Sequence, residues 1–107
     1  MIVIVDYGMG NLHSVSKAVE AVGGKAIVSE EPDDIANAER IILPGVGAFG
    51  QAMQCLQEKN LARALTKAVI EEKKPFLGIC LGMQLLAKDS DEWGMHQGLG
   101  WLEGHVR

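Results

Sequence analysis

The residues Gly78-Ile79-Cys80-Leu81-Gly82 have the types and spacing of a nucleophile held on a tight turn. An apolar run from Pro75 to Ile79 leads into them, and a helical pattern from Leu81 to Lys88 leads out. A strand that turns at once into a helix crowds the residues flanking the corner, and Gly78 and Gly82 have no Cβ to clash there. This is the nucleophile elbow with Cys in place of Ser. It would raise the Cys80 sulfur at the carboxyl end of a sheet, where open α/β sheets bind ligands. The sulfur would also sit at a helix N-terminus, whose partial positive charge favours thiolate over thiol. The backbone N–H of Leu81 would then face an oxyanion formed by attack from Cys80.

A cysteine alone in an apolar segment is more often a buried core residue. The paired glycines, the strand before and the helix after are what favour the nucleophile. Cys55 has no such surroundings, lying near Met53 and Leu56 in a helical stretch, and reads as structural.

A second candidate is Pro44-Gly45-Val46-Gly47, directly after an apolar run. Bare N–H groups in such a loop can complete an oxyanion hole, although an ordinary strand-to-helix turn has the same composition. Gly45, Gly47 and Gly50 also satisfy a dinucleotide-binding glycine pattern. That function needs an acidic residue about 20 positions on, at the end of the next strand. The zone Leu65 to Ile70 reads as helix instead, and the next strand ends at Cys80. Gly8-Met9-Gly10 fails as well, with His13 at the third glycine position. A third possibility is a non-catalytic flavodoxin-like interaction domain whose glycines are only turns.

Positioning these loops requires alternating strands and helices, hence a parallel sheet covered by helices on both faces. Residues 1–6 predict a strand and Asn11 caps a helix over Leu12 to Val22. A weak strand follows at Lys25 to Val28, then a short helix opened by Pro32. Arg40 to Leu43 is the third strand, Gln51 to Glu72 one helix or two, with Asn60 the candidate break, and Pro75 to Ile79 the fourth strand. Asp89 to Gln97 reads as polar loop, and Gly98 to Arg107 as the start of another strand pair.

The 107 residues suit one small domain, and an apolar content of 48% suits a packed core. A net charge of −4, with ten scattered basic residues, offers no stripe for a nucleic-acid backbone or an anionic membrane. The apolar runs are too short to span a bilayer, and the first residues lack the pattern of a signal peptide. A cytoplasmic protein is expected. Two cysteines make no disulfide framework, and neither has a ligand-spaced partner for a metal.

Asp6-Tyr7-Gly8-Met9-Gly10-Asn11-Leu12, Pro44-Gly45-Val46-Gly47-Ala48-Phe49 and Gly78-Ile79-Cys80-Leu81-Gly82-Met83-Gln84-Leu85-Leu86 together resemble class I glutamine amidotransferases. Within them the opening motif and Pro-Gly-Val-Gly are most like the glutaminase subunits of imidazole glycerol phosphate synthase. The resemblance covers essentially the whole chain and about the first half of the family's length. It implies that Cys80 attacks the side-chain amide of L-glutamine to give a glutamyl thioester. Val46, Gly47 and Leu81 would hold the oxyanion, and Gly45, Gln84 and Glu92 would bind the substrate. Ammonia would pass to a cyclase subunit, HisF, in a heterodimer of histidine synthesis, with the Asp6 to Asn11 segment near the interface. No cofactor is implied. The same resemblance fits paralogues that serve another synthase.

One part of the family's pattern is missing. Cysteine amidohydrolysis needs a base, in this family a His within His-Pro-Glu. None of His13, His96 and His105 is followed by Pro-Glu, so none is nominated. The four-strand reading also looks unfinished. Residues 1–107 are therefore expected to be the N-terminal part of a single amidotransferase domain, inactive alone, with an apolar face and edge uncovered.

Overall fold

The first strand, β1 (Ile2–Val5), is built from branched apolar residues that suit a buried parallel sheet. The computed structural model describes residues 1–8, 10–45, 47–79, 81–86, 89–90, 96–101 and 105–106. Strands β2 (Ala26–Ser29), β3 (Arg40–Leu43) and β4 (Phe76–Gly78) complete a sheet in the order β2-β1-β3-β4, with every pairing parallel.

Alternation along the strands separates two faces. Val3, Val5, Ile41 and Leu43 join a core with Ile35 of helix α2 (Pro32–Asn37). Helix α3 (Phe49–Glu58) adds Phe49, Ala52, Met53 and Leu56, and helix α4 (Leu61–Thr66) adds Leu61 and Leu65. The other face carries helix α1 (Leu12–Ala21) alone. Asn11 caps it as expected, its side chain accepting from the Ser14 N–H at 3.1 Å. Val15, Ala18, Val19 and Val22 of this region border an open apolar groove of about 320 Å³, whose other wall is Ile42, Leu77 and Ile79. Leu77 is 54% exposed. Among the described residues β4 pairs only with β3, so its far edge is free. Among the described residues, nothing covers the far edge of β4 or closes the groove over Leu77, as the sequence led us to expect.

The predicted break near Asn60 is real, since Asn60 takes a left-handed φ of 59° between α3 and α4. Other details differ from expectation. Helix α3 begins at Phe49, earlier than Gln51, because the fully buried Phe49 ring anchors the first turn. A π-helical turn, Lys67–Glu71, extends α4. Helix α5 is described over Leu81–Gln84, with a turn at Leu85 and Leu86; Lys88 lies outside the described residues. Within the stretch read as loop, β5 (Asp89–Ser90) and β6 (His96–Gln97) pair antiparallel, and β7 (His105–Val106) joins β5 in parallel. These two-residue strands, all polar but for Val106, rest on backbone hydrogen bonds and leave no apolar alternation to detect. Among the described residues, no helix is long and apolar enough to cross a membrane.

Candidate active site

The strand order reverses between β1 and β3, which is the switch point where a doubly wound sheet opens a crevice at its carboxyl end. The loops after β1, β3 and β4 leave the sheet at that end.

The carbonyl of Leu43, at the end of β3, organises the corner after β4. It accepts the Ile79 N–H at 3.0 Å, and the Gly82 N–H then turns back to the Ile79 carbonyl at 2.9 Å. This bond closes the strand-to-helix turn and brings α5 against β3. A Cβ on Gly82 would overlap the Leu43 carbonyl oxygen and lie 2.8 Å from its carbonyl carbon. The second glycine of the motif is therefore set by a main-chain collision, the physical reason its spacing suggested. Cys80 itself lies outside the described residues, as do Val46 and Glu92.

The described candidates fall around this corner. Leu81 opens α5, so its N–H is among the first-turn donors that have no intrahelical acceptor. With α5 described over a single turn, those local N–H groups, rather than a long aligned dipole, are what the corner offers an anion. Gln84 stands exposed at the other end of that turn. Gly45 is buried and Gly47 exposed, and Gly47 takes φ 109°, a conformation suited to glycine. Because β3 and β4 are neighbours, the loop after β3 begins beside the corner after β4.

Tyr7 holds that loop. Its fully buried hydroxyl donates to the Pro44 carbonyl at 2.6 Å. Burial, with Cys55 nearby as a smaller cause, pushes the phenol well above its usual range. Gly10 approaches from the other side, where an added Cβ would lie 3.3 Å from both N and Cα of Gly45. The sequence placed Tyr7 in a recognisable motif but gave it no role; its apolar strand was the only sign that the ring is buried.

The histidines do not gather here by any described contact. His13 lies on α1, His96 on β6 and His105 on β7. No group of three or more His, Cys, Asp or Glu among the described residues could hold a metal ion. The zone where a dinucleotide site would need its acidic residue is helical, running from α4 into the π turn. Gly50 lies inside α3 rather than before a helix.

Comparison with known proteins converges on one family. The model of the family "Glutamine amidotransferase class-I" matches residues 3–92. Among curated proteins, the chain is 50% identical to "Imidazole glycerol phosphate synthase subunit HisH" of Zymomonas mobilis, covering 98% of this chain and 51% of that protein. It is 54% identical to the subunit of the same name from Bacillus licheniformis, covering 99% and 50% of the two chains. For Aquifex aeolicus the identity is 55%, with 97% and 50% covered. The chain thus spans about half the length of the curated relatives it matches. A crystal structure of a glutamine amidotransferase shares the fold at a TM-score of 0.82 and 23% identity, covering 98% of this chain and 55% of that one.

Proposed function

The chain belongs to the class I glutamine amidotransferases, and from that premise we propose that it supplies the nucleophile half of a glutaminase site. Cys80, as thiolate, attacks the side-chain carboxamide carbon of L-glutamine. The resulting oxyanion is held by the Leu81 N–H and by the loop at Val46 and Gly47, while Gly45, Gln84 and Glu92 bind the amino acid. The C–N bond then breaks, ammonia leaves with the proton a base has taken from the thiol, and water hydrolyses the glutamyl thioester. The observation that carries this reading is Gly82 packed against the Leu43 carbonyl, a close approach of the kind a nucleophile elbow needs.

By likeness to relatives named as subunits of imidazole glycerol phosphate synthase, the ammonia serves a cyclase subunit, HisF, in a heterodimer in the cytoplasm. Residues 1–107 are the N-terminal part of one amidotransferase domain. The uncovered Leu77 and Ile42 face and the free β4 edge support this, as does coverage of about half of each relative. The 107 residues contain no His-Pro-Glu element, which supports reading them as inactive alone.

The test is ammonia release from glutamine by this chain alone, with the cyclase subunit, and with the C-terminal half of a relative. No turnover is expected from the chain alone or with the cyclase, and turnover is expected once the missing half is added. Turnover by the chain alone at the level of an intact glutaminase would contradict the proposal.

A further inference from the structure

The loop after β3 is fixed to the rest of the molecule by a side chain that belongs to the loop after β1. Tyr7 is the only tyrosine in the chain, fully buried, and its hydroxyl reaches the Pro44 carbonyl at 2.6 Å. A peptide unit is planar and, with no cis bond among the described residues, the Pro44 oxygen and the Gly45 N–H point in opposite directions from one rigid plate. Fixing the oxygen therefore fixes the amide. Gly10 closes the other side, its missing Cβ leaving just the room that Gly45 occupies. The first peptide of the loop is gripped between a buried donor and a glycine backbone.

We propose that Tyr7 is a positioning residue for the oxyanion loop: its hydroxyl fixes the Pro44–Gly45 peptide, the root from which that loop starts. This rests on the glutaminase reading above. Burial keeps the phenol protonated, so the donor is present throughout the physiological pH range. Tyr7 does not meet the substrate under this proposal. It acts through main chain that does, so its loss should affect attack at a carbonyl and spare other reactions of Cys80.

That difference can be measured on the 107-residue chain with two reagents. Iodoacetamide alkylates Cys80 by displacement of iodide at a CH₂ carbon, which needs thiolate but no oxyanion. The γ-p-nitrophenyl ester of glutamic acid acylates Cys80 at a carbonyl: the S–C bond forms, the C–O bond breaks, and nitrophenolate leaves without a protein acid. Cys80→Ala provides the background for both. For Tyr7→Phe the expected result is a fall of about tenfold or more in the acylation rate, on the scale of a weakened oxyanion donor, with alkylation within about twofold of the unaltered chain. 4-Aminophenylalanine at position 7 keeps the ring and a donor, and should restore acylation. Equal acylation by Tyr7→Phe and the unaltered chain would overturn the role of Tyr7 alone. So would loss of acylation in the folded aminophenylalanine variant, which also decides the matter should Tyr7→Phe fail to fold. Acylation of the unaltered chain no faster than of Cys80→Ala would instead bring down the glutaminase reading, and this role with it.

Discussion

Gly82 has no space for a side chain because the Leu43 carbonyl occupies it: an added Cβ would lie 2.8 Å from the Leu43 carbonyl carbon, closer than real Cβ atoms come to backbone. The same carbonyl accepts the Ile79 N–H at 3.0 Å, so it cannot retreat without opening the end of the β3–β4 ladder. One main-chain group thus fixes both sides of the corner that carries position 80.

Gly82→Ala should therefore destabilise the chain by about 1–3 kcal/mol, the range for overpacking a close-packed site. The glutamyl ester should also acylate Cys80 more slowly. Urea unfolding measures the first effect and nitrophenolate release the second. A stability change under about 0.5 kcal/mol would mean that α5 does not lie against β3.

Tyr7 makes alkaline stability a test of its burial. The folded phenol is held above its ordinary value of about 10, so below that pH both folded and unfolded states are protonated and the full stability is present. Above it the unfolded state ionises first, binds fewer protons, and stability falls with rising pH. The difference in unfolding free energy between the unaltered chain and Tyr7→Phe should be constant below about pH 9 and shrink above 10. A pH-independent difference from 8 to 11 would show the phenol to be solvated.

Leu77 belongs to the uncovered face, at 54% exposed. Leu77→Lys should change the stability of the 107-residue chain by no more than about 0.5 kcal/mol, as at an open surface site. Self-association and binding of an apolar dye should both decrease. Assembly with the C-terminal half of a relative, followed by size-exclusion chromatography, should be lost. A destabilisation above about 2 kcal/mol would mean that Leu77 is already packed as core.

Lys73 takes a left-handed φ of 57° on the exposed surface just after the π turn. Left-handed backbone disfavours a residue with a Cβ by roughly 1–2 kcal/mol. Lys73→Gly should raise stability by up to about 1 kcal/mol, once the greater freedom of glycine in the unfolded chain is offset. A lower melting temperature would contradict that backbone conformation.

Much of this architecture was legible because each strand carries its own apolar run. Ile2–Val5, Arg40–Leu43 and Phe76–Gly78 all fall inside the predicted strands, and the break at Asn60 showed in a residue type that tolerates left-handed backbone. The need for glycine at position 82 was legible too, since only glycine satisfies the contact that Gly82 makes. The β5–β6 pair was not, because Asp89–Ser90 and His96–Gln97 are too short and polar to show a period of two, whereas His105–Val106 falls in the stretch read as the start of a strand pair. The Tyr7 to Pro44 bond joins residues 37 apart, and nothing local to either position announces it. Cys80, Val46 and Glu92 lie outside the described residues, so their roles stand on the motif and on their described neighbours.

The two cysteines allow the most direct measurement. Cys55 is half-buried on α3 beside the core, whereas Cys80 comes two residues after β4 in the sequence. The chain would be treated with a glutamine-analogue affinity label, with and without excess L-glutamine, and the modified peptide identified by mass spectrometry. A glutaminase nucleophile predicts rapid modification of Cys80, protection by glutamine, and no modification of Cys55. Unreactive Cys80, or equal slow labelling of both cysteines that glutamine does not suppress, would contradict it.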